Sequence, residues 1–145
     1  MQLYTMVFAF DPNGRVALIK KNRPDYLAGK WNGIGGKVEP GEAIEDAAVR
    51  EVHEESGLDL LTSELTRCGV FTVQDKYEIH IFRAVIPVDQ LYSAYTVTDE
   101  EVRTFHPSEV HVITMDQHSL MFYQAAVISV NHHANHRMNF QFVSF

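Results

Sequence analysis

Cysteine and tryptophan are nearly absent: Cys68 and Trp31 are the only ones in 145 residues. A lone cysteine cannot close an internal disulfide, and Met1 to Phe10 has neither a basic start nor an uninterrupted apolar run. The expectation is therefore a cytoplasmic protein, neither secreted nor membrane-inserted. Positive charge is also scarce, with 12 Lys and Arg against 19 Asp and Glu and a formal net charge of −7. That balance argues against a nucleic-acid polymer as partner, because phosphate backbones are held by clustered cations; a ligand carrying phosphates would need a metal to mediate. The chain has no GxxxxGK[ST] loop and no GxSxG elbow, which leaves kinase-like transfer and serine hydrolysis without support. No repeat or long polar tract divides it. With 46% hydrophobic residues, it is expected to form one domain over 1–145. No pattern in it specifies an oligomeric state.

Acid is abundant, and one stretch concentrates it. Gly36 to Leu58 reads GKVEPGEAIEDAAVREVHEESGL, a glycine turn followed by a helix from about Glu42 or Ala43 to Ser56, with Gly57 placed as its C-terminal cap. At 3.6 residues per turn, Glu51, Glu54 and Glu55 share one face while Ile44, Ala47, Ala48 and Val52 line another. Three carboxylates so close repel one another and raise each other's pKa unless a divalent metal or a cationic partner neutralises them. A solvated acidic face usually pairs Glu with Lys at i+4, and this helix contains no lysine. All-oxygen ligation favours Mg²⁺ or Mn²⁺.

The remaining chain alternates strand patterns with turns. Residues 2 to 10 and 15 to 21 flank Asp11-Pro12-Asn13-Gly14 and predict a β-hairpin. The first of these strands is apolar on both faces, as expected of a strand lying between two layers. Lys20, Lys21 and Arg23 lead into a basic loop in which Arg23, with its planar fork, is the better phosphate clamp. Leu65 to Val73 and Tyr77 to Ile86 predict two more strands, with Glu78 and His80 on one side of the second. Val88 to Tyr95 reads as a connection, Thr98 to Glu101 as an acidic loop and Val102 to Phe105 as a short strand. A second helix is expected over about Ser119 to Val130, with Leu120, Tyr123, Val127 and Val130 as its core stripe. His132, His133 and His136 have metal-ligand spacing but no Cys or carboxylate partner nearby, so a polar linker is the better reading. Met138 to Val143 predicts a final strand at a sheet edge.

Gly36, Glu42, Arg50, Glu51, Val52, Glu54, Glu55, Gly57 and Leu58 match the pattern GX5EX7REUXEEXGU, with U apolar. Seven fixed positions would agree by accident about once in 10⁸. On this pattern the chain is identified as a member of the Nudix hydrolases. The segment Lys30 to Val38 resembles the one that precedes the box in MutT-type members. The resemblance implies an α/β fold, a mixed sheet with a smaller attached sheet between helices (α/β/α). It implies that Glu51, Glu54 and Glu55, with the carbonyl of Gly35, hold the metals, that Arg50 orients the glutamates, and that Glu42 braces the loop–helix geometry. A loop glutamate is expected to join them as ligand or base, assigned to Glu101 with Glu100 as the neighbouring alternative. Asn32, Arg23, Lys37 and Asp116 are the candidate substrate contacts. A resembling mammalian member carries two adjacent aspartates near the position of Asp116, where this chain has one.

The implied activity is metal-dependent hydrolysis of a nucleoside triphosphate to a monophosphate and pyrophosphate, with oxidised guanine nucleotides as candidate substrates. Alternatives are a pyrophosphatase for ADP-ribose, a dinucleoside polyphosphate or a nucleotide sugar, and a nucleotide-binding module without turnover. The intact glutamate set speaks against the last.

Overall fold

The structure, a computed structural model, describes residues 1–131 and 138–142, with side chains through residue 128. The first two strands, β1 (Gln2–Phe10) and β2 (Val16–Lys20), form the expected antiparallel hairpin. Its turn is closed by Asp11, whose Oδ1 accepts from the amides of Asn13 at 2.8 Å and Arg15 at 3.0 Å, and by Gly14 at φ 86°. β2 separates from β1 after Ala17 and pairs on with β3 (Trp31–Asn32) and β6 (Val102–Phe105). β5 (Tyr77–Val85) lies parallel to β1 along its whole length, and β4 (Thr66–Val73) lies antiparallel to β5. With β7 (Met138–Phe142), the strand order is β3-β2-β1-β5-β4-β7, and β6 branches from β2. β7 adds to β4 in parallel at the edge, as expected.

Alternation along β1 divides the core. Met6, Phe8 and Phe10 meet one buried cluster with Phe71, Phe122 and Tyr123, whereas Val7 and Ala9 meet the other with Ala48, Val52 and Phe82. The sheet thus lies between α1 (Ile44–Ser56) on one side and α4 (Gln117–Asn131) on the other, the α/β/α arrangement implied by the family resemblance. α1 ends at Gly57, which takes the left-handed conformation at φ 74° and donates its N–H to the His53 carbonyl, as a C-terminal cap requires.

Two local expectations are corrected. Val88 to Tyr95 is more than a connection, since Val88–Tyr92 forms the one-turn helix α2, which buries Leu91. Pro107–Val110 forms a second single turn, α3, capped by His106. The buried stripe of α4 is Ser119, Phe122, Tyr123 and Ala126, while Leu120 is exposed. Tyr123 keeps its expected place and Val127 packs partly buried against the same cluster, but the buried face is centred on Ser119 and Ala126, which at about 100° per residue leaves Leu120 on the outer flank. Val130 and the cluster of His132, His133 and His136 lie outside the described side chains.

Candidate active site

The glycine turn places the acid helix against the sheet. The segment after β3 changes partner, with Trp31 and Asn32 pairing with β2, and Ile34 and Lys37 bridging to β1. A side chain at Gly35 would put its Cβ 1.9 Å from the Thr5 carbonyl oxygen, and one at Gly36 would put it 2.5 Å from Cδ of Glu51. Gly35 therefore allows the turn to lie directly on β1. Gly36 leaves the volume that the Glu51 carboxylate occupies.

Arg50 is the hub of the acid face. Its Nε and Nη2 donate to the two oxygens of Glu42 at 2.8 and 2.9 Å, its Nη1 donates to Glu51 at 3.0 Å and Glu54 at 3.1 Å, and Nη2 also reaches the Lys37 carbonyl at 3.0 Å. The paired bonds hold the Glu42 carboxyl down at about 2. Glu55 has the opposite setting. Burial pushes its carboxyl up to about 7, the nearby Lys21 charge is the first influence lowering it, and the charges of Glu51 and Glu100 raise it further. Its Oε2 is buried without a hydrogen-bond partner.

Of the two adjacent loop glutamates, Glu100 is the one brought to this cluster. It is 4% exposed, its Oε1 accepts from Lys21 Nζ at 2.9 Å, and its Oε2 accepts from the Asn22 amide at 2.6 Å. Glu101 bonds to Arg103 at 2.6 Å, whose guanidinium stacks over Trp31. Its backbone carbonyl, rather than its carboxylate, ties the loop to β2 by accepting from the Lys20 amide.

Beside the turn opens a cleft of about 310 Å³ whose lining includes Asn32, Gly35, Gly36, Lys21, Tyr26 and Tyr77. Asn32 is buried, and its Oδ1 accepts from the Gly33 amide at 2.9 Å, so it both lines the cleft and steadies the turn. Tyr4 packs edge-on against Tyr77 at 5.7 Å, and burial first, then Tyr26 and Tyr4, raise the Tyr77 hydroxyl above its ordinary value. The other expected contacts stand elsewhere. Arg23 is exposed and paired with Asp99, with its Nη1 also 3.9 Å from Glu100 Oε2, Lys37 is an exposed side chain outside the lining, and the Asp116 carboxylate accepts from the His118 amide at the start of α4. His80 lies 3.1 Å from Glu78 on β5, on the shared side expected from alternation, and does not line the cleft. Lys21 belongs to the basic loop expected to clamp phosphate, where Arg23 is the favoured candidate, whereas Tyr26 and Tyr77 carry no signal in the sequence that singles them out. Tyr4 could have been reached from the alternation that places it in line with Met6 and Phe8.

Among the described residues, no three His, Cys, Asp or Glu side chains stand ready to hold one ion. Arg50 engages Glu51 and Glu54, and Lys21 engages Glu100. The donor set still fits a hard cation. It is all oxygen, Glu55 Oε2 is buried and unpaired, and the charged form of Glu55 is disfavoured until a positive charge arrives.

A loop–helix glutamate set against a mixed sheet flanked by helices defines the class. The NUDIX domain model matches residues 2–126, and the chain belongs to that family, whose members typically depend on divalent metal. The oxidized purine nucleoside triphosphate hydrolase of Mus musculus is 40% identical over 104 residues, covering 68% of this chain and 62% of that protein. Its counterpart in Danio rerio is 47% identical over 88 residues, covering 57% and 54%. The chain thus spans somewhat over half the length of these curated relatives. The crystal structure of a NUDIX hydrolase from Nitrosomonas europaea superposes with a TM-score of 0.79 at 20% identity, covering 99% of this chain and 79% of the other. That likeness concerns the fold. Among the described residues, no helix is long and apolar enough to cross a membrane.

Proposed function

We propose that this protein is a divalent-metal-dependent nucleoside triphosphate pyrophosphohydrolase that releases a nucleoside monophosphate and pyrophosphate, with purine nucleotides, including oxidised ones, as substrates. The observation that carries the reading is the continuity of the acid cluster with the cleft through Gly35 and Gly36, which line the cleft while Gly36 abuts Glu51. A base seated among Asn32, Tyr26 and Tyr77 would direct its phosphates toward those glycines and the glutamates behind them. The names of the curated relatives agree with this substrate class.

Glu51, Glu54, Glu55 and Glu100, with the Gly35 carbonyl, are the groups that would hold Mg²⁺ or Mn²⁺. A bound ion of this kind neutralises phosphate oxygens and makes a coordinated water more acidic. Arg50 sets the direction of Glu51 and Glu54 by charge-assisted hydrogen bonds, and Glu42 fixes Arg50. Asn22 orients Glu100 through its amide. Asn32 offers its amide to the purine edge, where oxidation at C8 turns the N7 acceptor into a donor that an amide can read by reorienting.

The deciding experiment is turnover of canonical and oxidised purine nucleoside triphosphates, ADP-ribose and diadenosine polyphosphates with Mg²⁺, with products identified. Pyrophosphate release from the triphosphates, abolished by chelator, is the expected result. Full turnover in excess chelator would sink the metal chemistry, and turnover confined to ADP-ribose or the diadenosine compounds would replace the substrate class.

A further inference from the structure

Two carboxylates stand side by side in the loop before β6, and they share one arginine unequally. Arg23 donates through Nη2 to Asp99 Oδ2, whereas its Nη1 stops 3.9 Å from Glu100 Oε2, beyond hydrogen-bond reach. Asn22 fixes the register of the two loops, since its side chain donates to the Asp99 carbonyl at 2.7 Å and its backbone amide to Glu100 Oε2 at 2.6 Å. The guanidinium therefore has little distance to travel from one acid to the other. Both members of the Arg23–Asp99 pair are exposed, so the pair contributes little to stability as such. Glu100 is buried, and a pair formed with it would be screened less. A carboxylate oxygen that accepts one hydrogen bond has room for a second partner. At Glu100 Oε2 that partner can be Arg23 or a divalent cation, but not both.

We propose that Asp99 is a positioning residue of the metal site: by holding the Arg23 guanidinium at the surface, it keeps Glu100 open to a divalent cation. This rests on the metal-dependent nucleotide hydrolysis proposed above. Without the Asp99 carboxylate, Arg23 closes the 3.9 Å gap and pairs with Glu100, as a guanidinium beside a carboxylate favours. Arginine keeps its charge across the whole pH range in which proteins fold, so the competition would persist wherever the enzyme works. The task of Asp99 is thus to remove a competitor, and its effect on the metal is exerted entirely through Arg23.

The test is isothermal titration of the full chain with MnCl₂ in the absence of nucleotide, on wild type, Asp99→Ala, Arg23→Gln and Asp99→Ala/Arg23→Gln. Turnover of a nucleoside triphosphate is followed alongside as Mg²⁺ is raised. Asp99→Ala should bind Mn²⁺ about 10-fold more weakly, as when a competitor occupies the site about nine-tenths of the time. It should need correspondingly more Mg²⁺ for half-maximal turnover, while kcat at saturating Mg²⁺ stays within about 3-fold of wild type. Arg23→Gln should bind Mn²⁺ within about 2-fold of wild type, and the double variant should return to that level. If Asp99 acted only through its negative charge, Arg23→Gln would tighten binding as much as Asp99→Ala weakens it. If Asp99 only pinned the two loops, the double variant would bind as weakly as Asp99→Ala. Either result, or wild-type affinity in Asp99→Ala, overturns the proposal while the metal-dependent turnover of wild type stands. Wild type that binds no Mn²⁺ and turns over in chelator overturns the functional reading as well. If Asp99→Ala does not fold, Asp99→Asn takes its place in the same four-way comparison, with the same order of affinities expected.

Discussion

Arg50 grips Glu42 through two parallel bonds, Nε to Oε2 at 2.8 Å and Nη2 to Oε1 at 2.9 Å, and so turns the start of the motif into a support for its end. The same guanidinium reaches Glu51 and Glu54 through Nη1, so loss of Glu42 frees Arg50 to neutralise the carboxylates it should only orient. Glu42→Gln is expected to lower kcat by about 10- to 100-fold, a magnitude typical of misplaced groups near a reacting centre, while far-ultraviolet circular dichroism stays that of wild type. The Glu42 carboxyl is depressed to about 2. Its contribution to stability is therefore present above the unfolded carboxyl range near 4 and lost as pH falls toward 2. Acid titration of Glu42→Gln should show a shallower loss of stability in that window.

Glu55 titrates in the other direction. A carboxyl raised to about 7 in the metal-free fold costs stability as pH climbs from the unfolded value near 4.5, and the cost is complete above 7. Glu55→Gln should therefore stabilise the metal-free protein at pH 8 by roughly 1–3 kcal/mol and leave it little changed at pH 4. Turnover should fall by roughly 10²-fold or more in both Glu55→Gln and Glu54→Gln. Denaturant melts at the two pH values, with and without Mg²⁺, and rates at saturating Mg²⁺ check both halves.

The two loop glutamates should separate cleanly. Glu100→Gln is expected to reduce turnover by roughly 10²-fold, whereas Glu101→Gln, which breaks a pair with Arg103 that is 58% and 42% exposed, should stay within about 3-fold of wild type because exposed pairs contribute little. The reverse order in side-by-side kinetics would return the role to Glu101.

Alanine at the two glycines should fail for different reasons. At Gly35 the new Cβ meets backbone, the Thr5 carbonyl oxygen at 1.9 Å, and the expected loss is about 3 kcal/mol or more. At Gly36 it meets the end of the flexible Glu51 side chain, which can move aside. Gly36→Ala should fold, with a smaller fall in melting temperature than Gly35→Ala, yet bind Mn²⁺ more weakly by calorimetry.

Asn32→Ala should reduce the preference for an oxidised over a canonical guanine triphosphate. One or two hydrogen bonds to the base are worth about 1–3 kcal/mol, or roughly 5- to 150-fold in kcat/KM. Because Asn32 also accepts from the Gly33 amide, an equal loss on every triphosphate would assign it to the turn instead.

Short-range patterns in the sequence by themselves determine much of this protein. The helix ending at Gly57, the hairpin around Asp11 to Gly14, the two-sided apolar strand β1 and the glutamate face of α1 all follow from spacing within a few residues, where backbone geometry alone says which side chains share a face. The metal-favouring chemistry was legible for the same reason. Tertiary structure decided what depends on register between distant segments. Once Val102 pairs with Ile19 and the Glu101 carbonyl accepts from Lys20, Glu100 meets Lys21 and Asn22, and Glu101 is left to Arg103. A slip of one residue would reverse them, and nothing within Thr98 to Glu101 encodes that choice. The placements of Lys21, Arg23 and Asp116 depend in the same way on which neighbours the folded chain brings to them: the cleft wall for Lys21, Asp99 and the edge of Glu100 for Arg23, and the first turn of α4 for Asp116. Leu120 stands outside the core because the buried face of α4 is centred on Ser119 and Ala126, and helical period alone does not say which of two neighbouring stripes meets the sheet. Periodicity tells which residues travel together; the depth to which each is buried is set by the surface opposite.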